Sequence, residues 1–275
     1  MSIQQPTEGS IDRFQSIVGT RLDGSPLGVM LDIDGTLAPI APKPDQAIIP
    51  EATREVLRRL VAIPGVVVAL ITGRSAKDAV RMVDVPGAWI IGNHGLELRT
   101  PGGELTASSE ARGYRAAVSA AAVKLGPAVA AAPGAFIEDK TLSLSLHYRQ
   151  ANPDEVPALR QRAQQIADET GLRLMEGKML VELRPPVHID KGTAAVALAD
   201  RIGVHSDASL LYAGDDRTDE DAFRALRERH PRVVTVRILS DGDRADAKTR
   251  AELILGSTEQ LRGVLEMLAA RRERA

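Results

Sequence analysis

The chain has no cysteine. That excludes disulfides, thiolate nucleophiles, zinc–thiolate centres and iron–sulfur clusters, and it fits the reducing cytosol. Aromatics are scarce. One Trp, three Tyr and three Phe in 275 residues are too few for a base-stacking platform on single-stranded nucleic acid. An excess of either charge is also missing: Lys and Arg total 35, Asp and Glu 37, for a formal net charge of −2. No basic field therefore recruits nucleic acid or an anionic membrane. No apolar run approaches the roughly 18 residues of a membrane span. The opening MSIQQPTEGSIDRF lacks a basic segment followed by an apolar core, so no secretory leader is expected. What remains is an ordinary globular composition of a length suited to about two domains, expected in the cytoplasm as a monomer.

The flanks of the chain alternate strand and helix signals. Val29–Ile33, Val66–Ile71, Ala88–Ile91, Ser209–Ala213 and Val233–Ile238 are short apolar runs, as expected of strands buried on both faces. Helices are expected at Glu51–Val61, Ala76–Val83, Lys191–Ile202, Glu220–Glu228 and Thr258–Ala270. This pattern predicts an α/β, Rossmann-like, doubly wound parallel sheet. Between residues 99 and 187 the texture changes. A hairpin pattern opens across Thr100–Gly103, an Ala-rich helix follows at Glu110–Val129, and Leu142–His147 alternates strictly. A helix at Asp154–Thr170 ends at Gly171, and a second hairpin joins Leu172–Met175 to Met179–Leu183. This reads as an inserted α+β cap domain at 99–187, between core segments 1–98 and 188–275.

Sites in open α/β sheets form at the carboxyl ends of the strands. Three such ends carry unusual polar sets: Asp32-x-Asp34-Gly-Thr36, Thr72-Gly-Arg74 and Gly214-Asp215-Asp216-x-Thr218-Asp219. Acids placed directly after buried strands are costly unless a cation compensates them. The simpler reading is that each acid caps the helix that follows. Convergence of several acids, without cysteine and with few histidines, suits a hard cation such as Mg2+. Gly171–Lys178 lacks the spacing and the Ser/Thr of a phosphate loop, and no G-x-S-x-G elbow is present. Asp241–Asp246 is not a calcium loop, because Ala245 and Asp246 occupy the positions of an acid and the glycine.

LDIDGTL, ITGR, DKG and GDDRTDED resemble, in order, the four motifs of the haloacid dehalogenase superfamily of phosphotransferases. The strings GNHGLE, HYR, EGKMLVELRP and GDDRTDEDAF extend the resemblance to trehalose-6-phosphate phosphatases across both flanks and the insert. Ile33 stands where many members carry an aromatic residue. The resemblance implies Asp32 as the nucleophile and Asp34 as the general acid and base. It implies Thr72 and Lys191 as ligands of the phosphoryl oxygens. Mg2+ would be held by Asp32, the Asp34 carbonyl and Asp215, supported by Asp219 and, with less to mark it, Asp216. The substrate would be a phosphosugar.

Substrate contacts are expected from two regions. Asn93 and His94 lie just past a strand end, and Arg74 stands beside them as a partner for either the acids or the substrate. In the second hairpin Glu176, Lys178, Leu180, Glu182 and Arg184 have the same parity. In a regular strand they share one face, and Glu176, Lys178 and Glu182 would offer donors and acceptors to sugar hydroxyls. A solvated sheet face is the alternative. His147 alternates with Ser143 and Ser145 and is expected to be cap structure. Sucrose phosphate, mannosyl-phosphoglycerate and glucosylglycerol phosphate remain open as substrates, as does a non-catalytic phosphosugar sensor.

Overall fold

A computed structural model describes residues 9–204, 209–239 and 248–274. The readings made above on the first eight residues and on Asp241–Asp246 lie outside that set. The chain divides into two compact units, one of residues 1–105 and 189–275 and the other of residues 106–188.

The first unit is built on strands β1 (Leu27–Leu31), β2 (Val66–Ile71), β3 (Trp89–Gly92) and β4 (Glu97–Arg99), and the chain passes into the second unit within β5 (Leu105–Ala107). After the insert come β10 (Ser209–Gly214), β11 (Val234–Ile238) and β12 (Leu253–Leu255). The order is β12-β11-β10-β1-β2-β3-β4-β5. Pairing is parallel from β12 to β3 and antiparallel between β3 and β4. Its helices are α1 (Gly9–Arg21), α2 (Glu51–Ala62), α3 (Ala76–Val83), α7 (Lys191–Arg201), α8 (Arg217–Arg229) and α9 (Thr258–Arg272).

The unbroken apolar runs follow from burial on both sheet faces. Val29, Leu31, Val68, Leu70, Leu211 and Ala213 pack into one cluster with residues of α2, α3 and α9. Their neighbours Met30, Ala69, Ile71, Leu210 and Tyr212 point the other way, into a second cluster with α7 and α8. Alternation sends successive side chains to opposite faces, so only an apolar run satisfies both.

The second unit holds a sheet of order β6-β7-β9-β8, from β6 (Phe136–Asp139), β7 (Leu144–His147), β8 (Arg173–Gly177) and β9 (Leu180–Arg184), all antiparallel. Helices α4 (Ser109–Arg112), α5 (Arg115–Ala130) and α6 (Val156–Thr170) belong to this unit. Leu144, Leu146, Val181 and Leu183 pack with Leu125, Leu159, Ala163 and Ile166 from α5 and α6.

Several details differ from the sequence reading. The units divide at 105/106 and 188/189, because β4 hydrogen-bonds back onto β3 and stays with the main sheet. The expected helix from Glu110 is broken at Gly113 into α4 and α5. The first strand ends at Leu31, not Ile33. The Ile33 carbonyl accepts from the Thr36, Leu37 and Ala38 amides, so the chain turns there. Among the described residues, no helix is long and apolar enough to cross a membrane.

Candidate active site

Register brings the polar strand ends together. Leu31 stands opposite both Leu70 and Ala213, so Asp32, Thr72 and Asp215 leave three neighbouring strands at nearly the same level. The Asp32 amide donates to the Ala213 carbonyl at 2.9 Å, which carries the β1–β10 pairing one residue past the strand. Lys191 opens α7, whose N-cap Asp190 forms a capping box with Thr193. That box sets the helix start and so the origin of the lysine side chain.

Lys191 is the centre of the cluster. Its Nζ donates to Asp32 Oδ1 at 2.7 Å and to Asp219 Oδ1 at 3.0 Å, and lies 3.9 Å from Asp216. Asp32, Asp215, Asp219 and Lys191 are all buried. Asp219 accepts four hydrogen bonds: Oδ1 from Lys191 and from the Tyr212 hydroxyl at 2.8 Å, Oδ2 from the amides of Asp215 and Asp216 at 3.1 Å. Asp216 is the N-cap of α8 and accepts from the Thr218 and Asp219 amides. The simpler capping reading therefore does describe Asp216.

The electrostatics are unbalanced in favour of negative charge. Burial, partly opposed by Lys191 and reinforced by Asp215 and Asp216, pushes the Asp32 carboxyl up to about 7. Burial alone would lower the Lys191 ammonium, but Asp219 and Asp32 outweigh it and hold its pKa well above the usual lysine value. Asp32, Asp215 and Asp219 each offer a carboxylate oxygen, all within 4.8 Å of one another. Burial likewise pushes the Asp219 carboxyl well up, against the pull of Lys191, and with all three acids ionised a single ammonium leaves a deficit of positive charge. An all-oxygen donor set of this kind fits a hard divalent cation. The four hydrogen bonds on Asp219 commit it to the loop and to Lys191, which leaves Asp32 and Asp215 as the side chains suited to ligate.

Asp34 takes a different partner. Arg74 donates from Nε to Asp34 Oδ2 and from Nη2 to Asp34 Oδ1, both at 2.6 Å, and from Nη2 to the Pro44 carbonyl at 2.8 Å. In this structure the guanidinium is taken up by the acid, in the two-point geometry that arginine supplies and lysine does not. Gly35 between Asp34 and Thr36 has φ +84°, and a Cβ there would overlap the Asp215 carboxylate. Glycine is thus required twice, for the backbone conformation and for the approach of the first loop to Asp215. Gly35→Ala is expected to displace Asp215 and weaken divalent-cation affinity at least about tenfold, with loss of stability of about 1–2 kcal/mol. Calorimetric Mg2+ titration and thermal unfolding would measure both effects.

The remaining core candidates knit β2 to β3. The Thr72 amide donates to the Ile91 carbonyl and the His94 amide to the Thr72 carbonyl, each at 2.9 Å, and the Asn93 amide donates to the Arg74 carbonyl at 2.7 Å. The Thr72 hydroxyl accepts from the Arg74 amide at 3.1 Å. Asn93 and His94 both have positive φ, near 49° and 55°. Gly73 lies against the His94 ring, which a Cβ would overlap. Glu97 accepts from Asn93 Nδ2 at 2.9 Å and from the Ala76 amide at the start of α3 at 2.7 Å.

Glu176, Lys178 and Glu182 belong to the second unit. Gly177 pairs with Leu180, which leaves Lys178 and Met179 as the turn. A two-residue turn reverses parity, so Glu176 pairs with Val181 while Glu182 pairs with Met175. Directly paired residues share a face. The expected single face is therefore corrected: Glu176 lies on the α6 side and forms an ion pair with Arg160, opposite to Glu182. Lys178 is exposed at the turn. Glu182 is buried, and its Oε1 accepts from Lys140 and Ser143 at 3.0 Å while Oε2 accepts from Arg184 Nε at 2.6 Å. His147 stacks on Phe136 with ring centroids 4.5 Å apart and meets Glu138 at 2.8 Å, as a structural residue of the sheet.

The sequence reading missed Tyr212, Glu97 and Lys140. Tyr212 sits two residues before Gly214 on an otherwise apolar strand, and that lone hydroxyl was the available signal. Nothing in the local pattern around Glu97 or Lys140 marks their partners, which lie 4 and 42 positions away.

The profile of the trehalose-phosphatase family matches residues 30–254, a span that includes every acid of the cluster and Lys191. The chain belongs to the trehalose-phosphatase family. The trehalose-phosphate phosphatase of Mycobacterium tuberculosis (strain H37Rv) is 35% identical over 222 residues, which are 80% of this chain and 56% of that protein. A protein of the same strain named as an uncharacterized glycosyl hydrolase is 38% identical over 233 residues, 83% of this chain and 17% of its own length. The chain thus spans between about a sixth and just over half of these relatives. The solved C-terminal domain of Candida albicans trehalose-6-phosphate phosphatase superimposes with a TM-score of 0.75 at 23% identity, covering 98% of this chain and 99% of that one. That likeness shows the shared trehalose-phosphatase fold.

Proposed function

We propose that the chain is a Mg2+-dependent phosphomonoesterase that hydrolyses trehalose 6-phosphate to trehalose and inorganic phosphate. The observation that carries this reading is the buried line Asp32–Lys191–Asp219 with Asp215 beside it. A phosphate dianion and an ionised Asp32 repel by several kcal/mol at ~4 Å, even at an effective dielectric near 20. Lys191 offsets part of that repulsion and holds one oxygen of Asp32. Mg2+, held by the Asp32 and Asp215 side chains and the Asp34 carbonyl, would neutralise the rest and stabilise charge on the phosphoryl oxygens.

The other oxygen of Asp32 attacks phosphorus, and the bond from phosphorus to the sugar oxygen breaks. Asp34 gives that oxygen its proton, leaving an aspartyl phosphate. Asp34 then takes a proton from the water that attacks the same phosphorus, which frees phosphate and restores Asp32. Thr72 and Lys191 bind the phosphoryl oxygens, helped by the N-terminus of α7. To carry out these proton transfers Asp34 has to free at least one oxygen from the two-point contact with Arg74 seen in this structure. Asn93 and His94 are assigned to the sugar, as are Lys178 and Glu182, whereas Glu176, on the opposite face of its sheet and paired with Arg160, leaves that assignment.

A panel of trehalose 6-phosphate, sucrose phosphate, mannosyl-phosphoglycerate and glucosylglycerol phosphate, ranked by kcat/KM, tests the substrate. Trehalose 6-phosphate is expected to lead by about tenfold or more, the scale on which matched hydroxyl contacts discriminate. Leadership by another member would reassign the substrate. Binding of all four with turnover of none would make the chain a sensor.

A further inference from the structure

We propose that Tyr212 is a positioning residue for phosphoryl transfer, acting through Asp219 on Lys191; the inference rests on the phosphatase reading above. Tyr212 lies on β10 with its ring packed edge-on against Phe223 at 5.7 Å, inside the apolar cluster under α7 and α8. Its hydroxyl is the one polar atom of the side chain, and it donates to Asp219 Oδ1 at 2.8 Å. The same oxygen receives Lys191 Nζ at 3.0 Å. Asp219 has no exposed surface, so water does not stand in for a lost donor.

Two acceptors compete for the ammonium, Asp32 Oδ1 at 2.7 Å and Asp219 Oδ1 at 3.0 Å. A hydroxyl on Asp219 Oδ1 takes up part of that oxygen's negative charge. The ammonium then stays near Asp32, where a phosphoryl group would meet it. Without the hydroxyl, Lys191 is the sole side-chain donor to that oxygen among the described residues, and a buried carboxylate draws its remaining cation closer. The cation moves away from the phosphoryl position with no change in the residues that would touch substrate.

Tyr212→Phe removes only the oxygen, since the ring already sits among apolar side chains. Calorimetry with tungstate, a phosphoryl mimic, in the presence of Mg2+ is the primary readout, and turnover of p-nitrophenyl phosphate is the second. Tungstate affinity and kcat are both expected to fall roughly tenfold, the scale of a hydrogen bond to a charged group, with KM changed less than kcat. In an Asp219→Asn background the same change should have no further effect on tungstate binding. Site-specific 3-fluorotyrosine at position 212, a stronger donor in the same shape, should raise tungstate affinity, which keeps the test available if Tyr212→Phe folds poorly. A lowered melting temperature with tungstate affinity and kcat within twofold of the parent would reduce Tyr212 to a structural residue and overturn the proposal. Turnover by the parent protein decides the phosphatase reading separately, because tungstate binding is measured without it.

Discussion

Asp32→Asn is expected to reduce phosphate release by about 10,000-fold or more, the scale on which removal of an attacking group acts, while leaving the protein folded. The amide keeps the shape of the side chain and can still face Lys191, but it cannot form an acyl phosphate. Stability should move the other way. In the folded protein the Asp32 carboxyl keeps its proton up to about 7, whereas the unfolded chain gives it up near 3.8. Between those values the folded state binds more protons, so the metal-free parent loses stability as pH rises through that window. Asn carries no such charge, and the variant should melt at a higher temperature than the parent at pH 8 without divalent cation. A pH series of melting curves for both proteins, alongside phosphate assays, checks the two halves together. A variant that still releases phosphate at a tenth of the parental rate would remove Asp32 from the nucleophile's role.

Lys191→Met should have the second largest effect, and on stability as well as rate. Methionine fills nearly the same volume but leaves Asp32 and Asp219 buried without the ammonium that bridges them. Breaking a buried pair from one side costs about 3–5 kcal/mol, which for a protein of this size lowers the melting temperature by roughly 10 °C. Phosphate release should fall at least about a hundredfold, because the same charge is assigned to the phosphoryl oxygens. Saturating Mg2+ should recover part of the stability and little of the rate, since the cation relieves repulsion among the acids without replacing the lysine. Differential scanning calorimetry with and without Mg2+ separates the two. An unchanged melting temperature would mean that the acids repel less than their burial implies.

The α/β core was legible because its strands are buried on both faces, and burial on both faces leaves an apolar run that periodicity detects. The strand ends were legible for the opposite reason: Asp32, Asp215 and Asp219 are costly where they stand, so their presence asks for a cation. Lys191 completed the cluster from 159 positions away, a contact that only the motif order predicted. The second unit was read less well. Parity held within β8 and within β9, but the two-residue turn at Lys178–Met179 reverses it, which separates Glu176 from Glu182. β6 and β12, of four and three residues, are too short for periodicity to register. Tyr212 was hidden because a buried tyrosine reads as core until its hydroxyl finds a partner.

The most direct measurement is phosphate release from trehalose 6-phosphate by the intact chain, with Mg2+ and again after chelation. Steady release with the cation and loss of at least nine-tenths of it on chelation is the result the acid cluster requires. Equal rates in both conditions, or no release in either, would contradict the grouping of Asp32, Asp215 and Lys191 into one phosphoryl-transfer site.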